Sequence, residues 1–503
     1  MEAESEQTTG ADVKPGLLAS PLIISLGTAL AIRLFIAIVF PNTYAPDEIF
    51  QYIEQAHRLV FGQGVVPWEY QVGLRSWLIP LLLAAPMALA HWCTPTPLAG
   101  LMLIRVLLCL ASLPIVWCAT KWGERFHGTA GAWTAGLLTA IWPDLWLMAP
   151  HPLEEALSTD LLVPAIYLVE ASRGQTGLRH VPQAGILLGL TFALREQLAP
   201  AVAIAGIFLC GRDVKRWLLA VSMAAVPVLC LGLLDWFTWG EMFRSFWMNV
   251  YLNIILGVAS HYFDSSPPTY YLLNLLYDWL WGALFVGYFA WLGARKLPVA
   301  GLAALAIIAV HSGLAHKELR FIFPAMALLI PLAGLGLAGI CASKTMLQKA
   351  VLTAGLLTGP YMSPLLYMML PWQDNAFRLY AGLAAEHPCI VSIQTWDRGF
   401  LPILPVFHGT TRFTGESTNS TRSGHVEADA IIAAEGTATI PRGFTRQSCA
   451  KQSWIPFKPR KPDVCVWTRP VASCRAGPIE PFVLVYPPAA RPFIIRDRLT
   501  DGP

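Results

Sequence analysis

Long apolar runs separated by short polar breaks occupy the first three quarters of the chain. Runs suited to a bilayer cover 17–40, 98–120, 128–149, 155–170, 183–194, 198–211, 217–235, 275–294, 298–315, 321–341 and 350–371. Several fall short of the roughly 20 residues that a spanning helix needs. Residues 183–211 are too long for one span and short for two, so the break at Arg195-Glu196-Gln197 predicts two half-length helices whose broken ends carry Arg195 into an outer cavity; a surface turn is the plainer alternative. The run at 76–93 is ambiguous. If it does not cross, Lys121 and Arg125, Arg173 and Arg179, Arg212 with Lys215 and Arg216, Arg295 with Lys296, and Lys344 with Lys349 share one face. We therefore read 76–93 as re-entrant or interfacial, place the basic loops in the cytoplasm and expect about eleven spans.

After the first run the pattern becomes amphipathic. From Pro46 onward Ile49, Tyr52, Ile53, Ala56, Leu59 and Val60 recur at spacings of three and four, with Asp47, Gln51, Glu54 and Arg58 opposite, which predicts a surface helix. Pro46 suits the first helical position and puts Asp47 and Glu48 in the first turn, where the helix dipole favours an ionised carboxylate. Such a carboxylate can act as a general base; acids that only solubilise a helix start are the bland alternative. With this topology the loops at 41–75, 150–154, 195–197, 236–274 and 316–320, and the C-terminal region, face outward. Arg33, Arg105, Asp144, Asp160 and Asp235 lie toward the outer ends of their runs. A charge in hydrocarbon costs roughly 2.5 to 3.5 kcal/mol on insertion scales, so together they predict a polar cavity opening outward.

Two further outer segments stand out. The 236–274 loop is dense in Trp, Tyr and Asn, including Trp239, Asn249, Tyr251, Asn253, Tyr270 and Tyr271, a composition suited to the membrane interface and to a cavity rim. In His316-Lys317-Glu318-Leu319-Arg320 four titratable residues in five positions interrupt two spans, on the face opposite the other basic clusters. A Lys and an Arg kept there predict an anion site, with phosphate the natural candidate, against the alternative of a turn closed by a Glu318 and Arg320 pair.

Composition sets the class. The chain of 503 residues is 55% hydrophobic and 13% charged, with a mean hydropathy of +0.52, values of a polytopic membrane protein. A net charge of +3 is too small to imply a nucleic-acid partner. We expect a polar tail over 1–16, a membrane domain over 17–371 and a small soluble α/β domain over 372–503 on the outer face, with strands near 389–393, 401–407, 428–434 and 464–467. Of ten cysteines, Cys93, Cys109, Cys118, Cys210, Cys230 and Cys341 lie in or beside apolar runs as packing residues. Cys389, Cys449, Cys465 and Cys474 can pair if the C-terminal region is extracytoplasmic, and Asn419-Ser420-Thr421 is a glycosylation acceptor only in an endoplasmic reticulum. Metal-ligand spacing and nucleotide-binding fingerprints are absent, so neither a metal nor another cofactor is expected, and outward acids beside an outward anion site favour a lipid-linked sugar donor.

Pro46-Asp47-Glu48-Ile49-Phe50-Gln51, then Trp68-Glu69-Tyr70 and Arg75-Ser76, and above all His316-Lys317-Glu318-Leu319-Arg320-Phe321-Ile322-Phe323-Pro324, resemble the family 22 glycosyltransferases, polytopic GT-C mannosyltransferases. The block from Asp235 to Tyr271 is similar too, and the resemblance covers about residues 20 to 371. It implies a GT-C membrane fold and inverting transfer of mannose from a polyprenyl-phosphate-mannose, dolichyl in eukaryotes, to a glycan or glycolipid hydroxyl. Carried over, Asp47 is the base and Glu48 its orienting neighbour. His316, Lys317, Arg320 and Arg195 form the donor-phosphate site, while Gln51, Trp68, Glu69, Arg75, Glu318 and Tyr270 line the cavity or meet the acceptor. The family motif often has a His before Pro-Asp-Glu where this chain has Ala45. The expected site faces the periplasm across a bacterial inner membrane, or the endoplasmic reticulum lumen in a eukaryote. A different transferred sugar is the alternative; a lipid-linked sugar flippase is a further one, though it should distribute polar residues toward both faces.

Overall fold

The structure, a computed structural model, describes residues 20–499 apart from 63, 175–176, 372–373, 395–403, 408–409, 416–427, 437–439, 452–461, 471–481 and 484–487. The polar tail 1–16, Asn419-Ser420-Thr421 and Cys474 lie outside the described residues.

The first apolar run forms α1 (Pro21–Val39). The amphipathic stretch is helical from Pro46, passes through a π-helical turn (Glu48–Ile53) into α2 (Glu54–Phe61) and stops at Gly62, whose φ of 71° closes the helix in a conformation that a side chain would strain. The chain continues through β1 (Val65–Val66), α3 (Trp68–Gln71), α4 (Leu78–Cys93), α5 (Pro97–Ala111), α6 (Leu113–Ile141), α7 (Pro143–Met148) and α8 (Glu154–Ala171). Next come α9 (Val181–Leu194), α10 (Ala199–Cys210), α11 (Val214–Trp239), α12 (Arg244–Asn249), α13 (Val258–Tyr262), α14 (Tyr270–Trp279) and α15 (Gly282–Ala294). Then α16 (Pro298–Gly313), α17 (Phe323–Cys341), α18 (Met346–Tyr361), α19 (Pro364–Met369) and α20 (Asp374–Ala385) complete the helices. Helices α1, α5, α7, α16 and α19 begin on a proline, whose fixed φ and missing N–H suit that position. Asp213 caps α11 by accepting from the backbone of Lys215 and Arg216, and a Thr345–Gln348 capping box opens α18.

Buried almost throughout, α17 packs against α6, α8, α15 and α16. Gly336 faces the Phe289 carbonyl and Gly293 the Leu332 carbonyl, so α15 and α17 approach at a distance that no Cβ would permit.

Several expected spans are divided differently. The run 275–294 is two helices, α14 and α15, bent by 110°. Leu280 there takes a φ of 49°, and the flanking indoles are anchored: Trp279 donates to Asp144 and Trp281 to Thr358. The basic segment 121–126 is helical and the turn comes later, at Gly128 with φ 60°. The run 350–371 is α18 followed by the short α19. By length and composition four helices or merged segments among the described residues suffice to cross a membrane, or five with the bent pair; the expected spans α9, α10 and α16 are shorter apolar helices, as is α4, the segment expected to be re-entrant or interfacial.

None of the five charges in apolar runs lines the main cavity described below, and Arg33, Arg105, Asp144 and Asp235 are engaged by other partners. Arg33 donates to Ser112 and to the Ala29 and Ala140 carbonyls, binding α1 to α5 and α6. Asp235 accepts from the backbone and hydroxyl of Ser245, which pins α12 to α11. Cys109, Cys118 and Cys210 are buried as packing residues, whereas Cys93 and Cys230 are exposed on the protein surface.

The C-terminal region carries a sheet ordered β3 (Arg412–Gly415), β2 (Ile390–Ile393), β4 (Ala430–Ala434), β6 (Val464–Thr468), β5 (Thr445–Ala450). Strand β2 runs parallel to β3 and β4, and β6 antiparallel to β4 and β5. Cys449 and Cys465, opposite each other on β5 and β6, form a disulfide; Cys389 is also disulfide-bonded. The expected strand at 401–407 is instead a 3-10 turn over Leu404–Val406 in its described part, where Pro405 cannot donate to a strand ladder.

The C-terminal tail returns to the membrane domain. Its strand β7 (Phe482–Val483) pairs in parallel with β1 in the loop between α1 and α4, called the outer loop after its expected side; Ile495 N–H donates to the Gln71 carbonyl, and Arg498 N–H to that of Thr238. Opposite β1, Glu54 of α2 accepts the Val65 N–H at 2.7 Å and Gln55 donates to the Val65 carbonyl at 3.0 Å. Burial pushes the Glu54 carboxyl up to about 8. Between its ordinary value and about 8 the folded state therefore holds a proton that the unfolded chain has lost. Glu54's contribution to stability is full at low pH and is lost as the pH rises through about 8. Glu54→Gln, which keeps the neutral shape, should flatten the fall in Tm between pH 6 and pH 9 measured in detergent; a slope equal to wild type would contradict this.

Candidate active site

The outer loop after α1 is fixed before the first acid. The Arg105 guanidinium, rising from α5, donates to the carbonyls of Ala37 (3.1 Å), Phe40 (3.0 Å) and Asn42 (2.9 Å). It thus satisfies the free carbonyls at the end of α1, as a cation at a helix C-terminus should. Glu48 then secures the helix that starts at Pro46. Its Oε1 accepts the Tyr44 N–H at 3.0 Å, and its Oε2 lies 2.6 Å from Nδ1 of His151. Burial pushes His151 down, which favours a neutral ring donating from Nδ1. Both acceptor atoms of Glu48 are thereby committed to holding the loop, and Asp47, one residue earlier, faces the other way.

Asp47 heads a chain of alternating charges. Its carboxylate pairs with Arg320, whose guanidinium also donates to Glu318 at 2.8 Å and lies 3.6 Å from Glu155. Arg195 bridges Glu155 (2.9 Å) and Glu154 (2.8 Å), and Arg75 reaches Glu154 at 3.0 Å. Arg195 and Arg320 both stack on Phe321. The three arginines thus come from the outer loop, the break between α9 and α10, and the turn before α17, and meet on the carboxylates that open α8. Among these carboxylates Asp47 keeps 28% of its side-chain surface exposed and Glu318 38%, against 1% for Glu155, so these two are open to a substrate. Burial opposes ionisation of Glu318, but Arg320 and His316 outweigh it and hold this carboxyl well below the usual range.

The other residues singled out in the sequence divide between this network and its supports. Lys317 is buried, and its ammonium donates to the carbonyls of Ser266 (2.7 Å) and Leu314, so it closes the loop before α14. His316 bonds Glu318 at 3.3 Å and the Asp264 carbonyl. Tyr270 opens α14 with its ring against Tyr271. Gln51 donates to Glu69 at 3.0 Å, and burial together with the charge of Asp47 raises Glu69 to about 7. Trp68 packs with Val72, Leu74, Met248, Leu252 and Val258, joining the outer loop to the segment after α12 as a core residue.

Beside the network opens a cavity of about 220 Å³. Tyr52, Arg75, Glu154, Glu196 and Asn249 form its polar end; Phe192, Leu194, Val228, Leu231, Phe243 and Phe246 line the rest. Tyr52 donates to Glu154 at 3.2 Å, while Nε of Arg75 is buried without an acceptor. Sequence reasoning did not single out Glu154, Glu155, His151 or Tyr52. One signal was present: Glu154-Glu155 opens a helix just after an outer loop, as Asp47-Glu48 does. Among the described residues no cluster of three or more His, Cys, Asp or Glu is placed to hold a metal ion.

Comparisons with known proteins show the fold and the family. The solved ArnT of Cupriavidus metallidurans bound to undecaprenyl phosphate superposes with a TM-score of 0.58, covering 91% of this chain and 99% of that one at 14% identity, which shows a shared fold. The GPI alpha-1,2-mannosyltransferase 3 of Danio rerio is 26% identical over 396 residues, 76% of this chain and 70% of that protein. The GPI mannosyltransferase 3 of Yarrowia lipolytica is 26% identical over 313 residues, 59% of each chain. The Alg9-like mannosyltransferase family matches residues 25–384, and the chain belongs to that family as an integral membrane mannosyltransferase.

Proposed function

We propose that the protein moves mannose from a polyprenyl-phosphate-mannose to a hydroxyl of a glycan or glycolipid, with inversion, on the periplasmic or lumenal side of its membrane. The observation that carries this reading is the position of Asp47, a part-exposed carboxylate at the helix start, in a charge network that ends at Arg75 on the wall of a cavity with polar and apolar lining. Asp47 accepts the proton of the acceptor hydroxyl. The freed oxygen bonds to the anomeric carbon as the bond from that carbon to the phosphate oxygen breaks on the opposite face, and the departing phosphate keeps the electron pair. That phosphate already carries charge, so guanidinium groups suffice to stabilise its departure. No metal or other cofactor has a role in this scheme.

Arg75 and Arg320 are the cations for the phosphate. Arg75 lines the cavity with an unfilled Nε–H, and Arg320 touches the base itself. Glu48, Glu69 and Gln51 support the loop that presents Asp47, and Arg195 and Glu318 hold the two arginines and their carboxylates in register. Lys317 acts one step back, through the loop carbonyls that it ties together. A fixed network of this kind is preorganised, so little rearrangement is needed as charge moves to the leaving group.

Removal of the base should be severe. General-base contributions are typically about 10²–10⁴, so Asp47→Asn should lower kcat by that much while expression and Tm stay near wild type. Transfer within about tenfold of wild type, a barrier change of only about 1.4 kcal/mol, would remove Asp47 from this role. The guanidinium fork of Arg320 is poorly replaced by an ammonium. Arg320→Lys should therefore raise the apparent donor KM about tenfold, equivalent to about 1.4 kcal/mol. Unchanged donor affinity in both Arg320→Lys and Arg75→Lys at one ionic strength would make the block before α17 a structural turn.

A further inference from the structure

Arg195 and Glu196 leave the break between α9 and α10 in different directions. Arg195 turns onto Glu154 and Glu155, whereas Glu196 lines the cavity. Of the carboxylates and guanidiniums on the cavity wall, Arg75 and Glu154 pair with each other, and Glu196 has no ion-pair partner among the described residues. Its carboxylate instead accepts from the side-chain amides of Asn249 and Gln197, the latter at 3.1 Å, and Asn249 accepts from Asn253 at 2.6 Å. The neighbouring Gln197 carbonyl oxygen is buried without a donor.

Glu196 is half-buried, and both amides bond its Oε1, so its other oxygen remains open to a donor; a carboxylate without a cation is favoured where hydrogen-bond donors surround it. It has about four lone-pair sites, and the two amides leave part of that capacity open. The missing groups are donors that also tolerate the amide N–H groups and the Arg75 guanidinium nearby, and hydroxyls, which donate and accept, have that property. A neighbouring carboxylate and primary amide can together bracket two adjacent hydroxyls of a sugar ring. Beyond this point the cavity wall turns apolar through Phe192, Leu194, Val228 and Phe246, which suits a lipid chain and not a free glycan. The occupant thus joins a polyhydroxylated head to an apolar tail.

The geometry points to Glu196 and Asn249 as the subsite that grips the hydroxyls of the lipid-linked hexose and so selects the sugar of the donor. This rests on the transfer reading above but makes a separate claim about which residues read the sugar. Arg75 sits between this subsite and Asp47's network and so belongs to the phosphate, not to the ring. A site built to bond a hydroxyl discriminates strongly against a ligand that lacks it, because its own polar groups are left unpaired.

The test compares two lipids on purified protein in detergent by isothermal titration calorimetry: a short-chain polyprenyl-phosphate-mannose and the same polyprenyl phosphate without sugar. Wild type should bind the mannosyl lipid more tightly. Glu196→Gln and Asn249→Ala should each cut that preference by about tenfold or more, while affinity for the bare lipid phosphate and the Tm stay as in wild type. The inference is overturned if both lipids weaken together, if the preference survives in both variants, or if wild type shows no preference for any glycosylated lipid. If wild type prefers a glucosyl over a mannosyl lipid, the mannose assignment fails. The same two variants then decide the subsite on that lipid, with loss of the preference supporting it and its survival overturning it.

Discussion

Three guanidiniums and four carboxylates are drawn together where α8, the outer loop and the turn before α17 meet, and the buried Glu155 is held by two of the guanidiniums. Removing one partner of a buried ion pair typically costs about 3–5 kcal/mol, because the remaining charge is left without water or counter-ion. That penalty makes the network an organising constraint. The break between α9 and α10 exists where Arg195 must reach Glu154 and Glu155, and the short turn before α17 exists where Arg320 must reach Asp47. The same network shares Arg320 among Asp47, Glu318 and Glu155.

Around this centre the rest of the chain acts as a set of clamps on one loop. Arg105 holds its start, Glu48 and His151 its first helical turn, and Glu54 and Gln55 the short strand β1, which the returning C-terminal tail extends with β7. Arg244 adds another tie, donating to the carbonyls of Val72 and, in the tail, of Phe493. The C-terminal region is therefore continuous with the site through backbone hydrogen bonds and not merely appended to it. The apolar lining of the cavity comes mainly from α9, α11 and α12, and its polar lining from the outer loop, α8, the break between α9 and α10, and α12.

Local chemistry was legible in the sequence where it depends on neighbours in the chain. The helix start at Pro46, the break at Arg195 and the strands over Ile390–Ile393, Ala430–Ala434 and Val464–Thr468 follow from proline geometry, a charge within an apolar run and short apolar stretches. Long-range pairing was not legible. The bend at Leu280 depends on Trp279 reaching Asp144, far away in the chain, and that partner carries no local mark. Arg33, Arg105 and Asp235 were expected to open a shared polar cavity, yet each is held by its own partners elsewhere. Lys317 and Arg320 looked equivalent as cations, but backbone carbonyls absorb one ammonium while carboxylates hold the other guanidinium at the base. The role of Glu154 and Glu155 depends on three arginines brought in from separate elements, which spacing alone does not reveal.

The central claim is that Asp47 and the arginines around it carry out direct, single-displacement transfer from a lipid phosphate. The most direct measurement supplies purified protein with radiolabelled polyprenyl-phosphate-mannose and a glycan acceptor, then determines the anomeric configuration of the product by NMR. The account predicts label in the acceptor with configuration opposite to that of the donor. Retained configuration, or transfer only when a nucleotide sugar replaces the lipid donor, would contradict it.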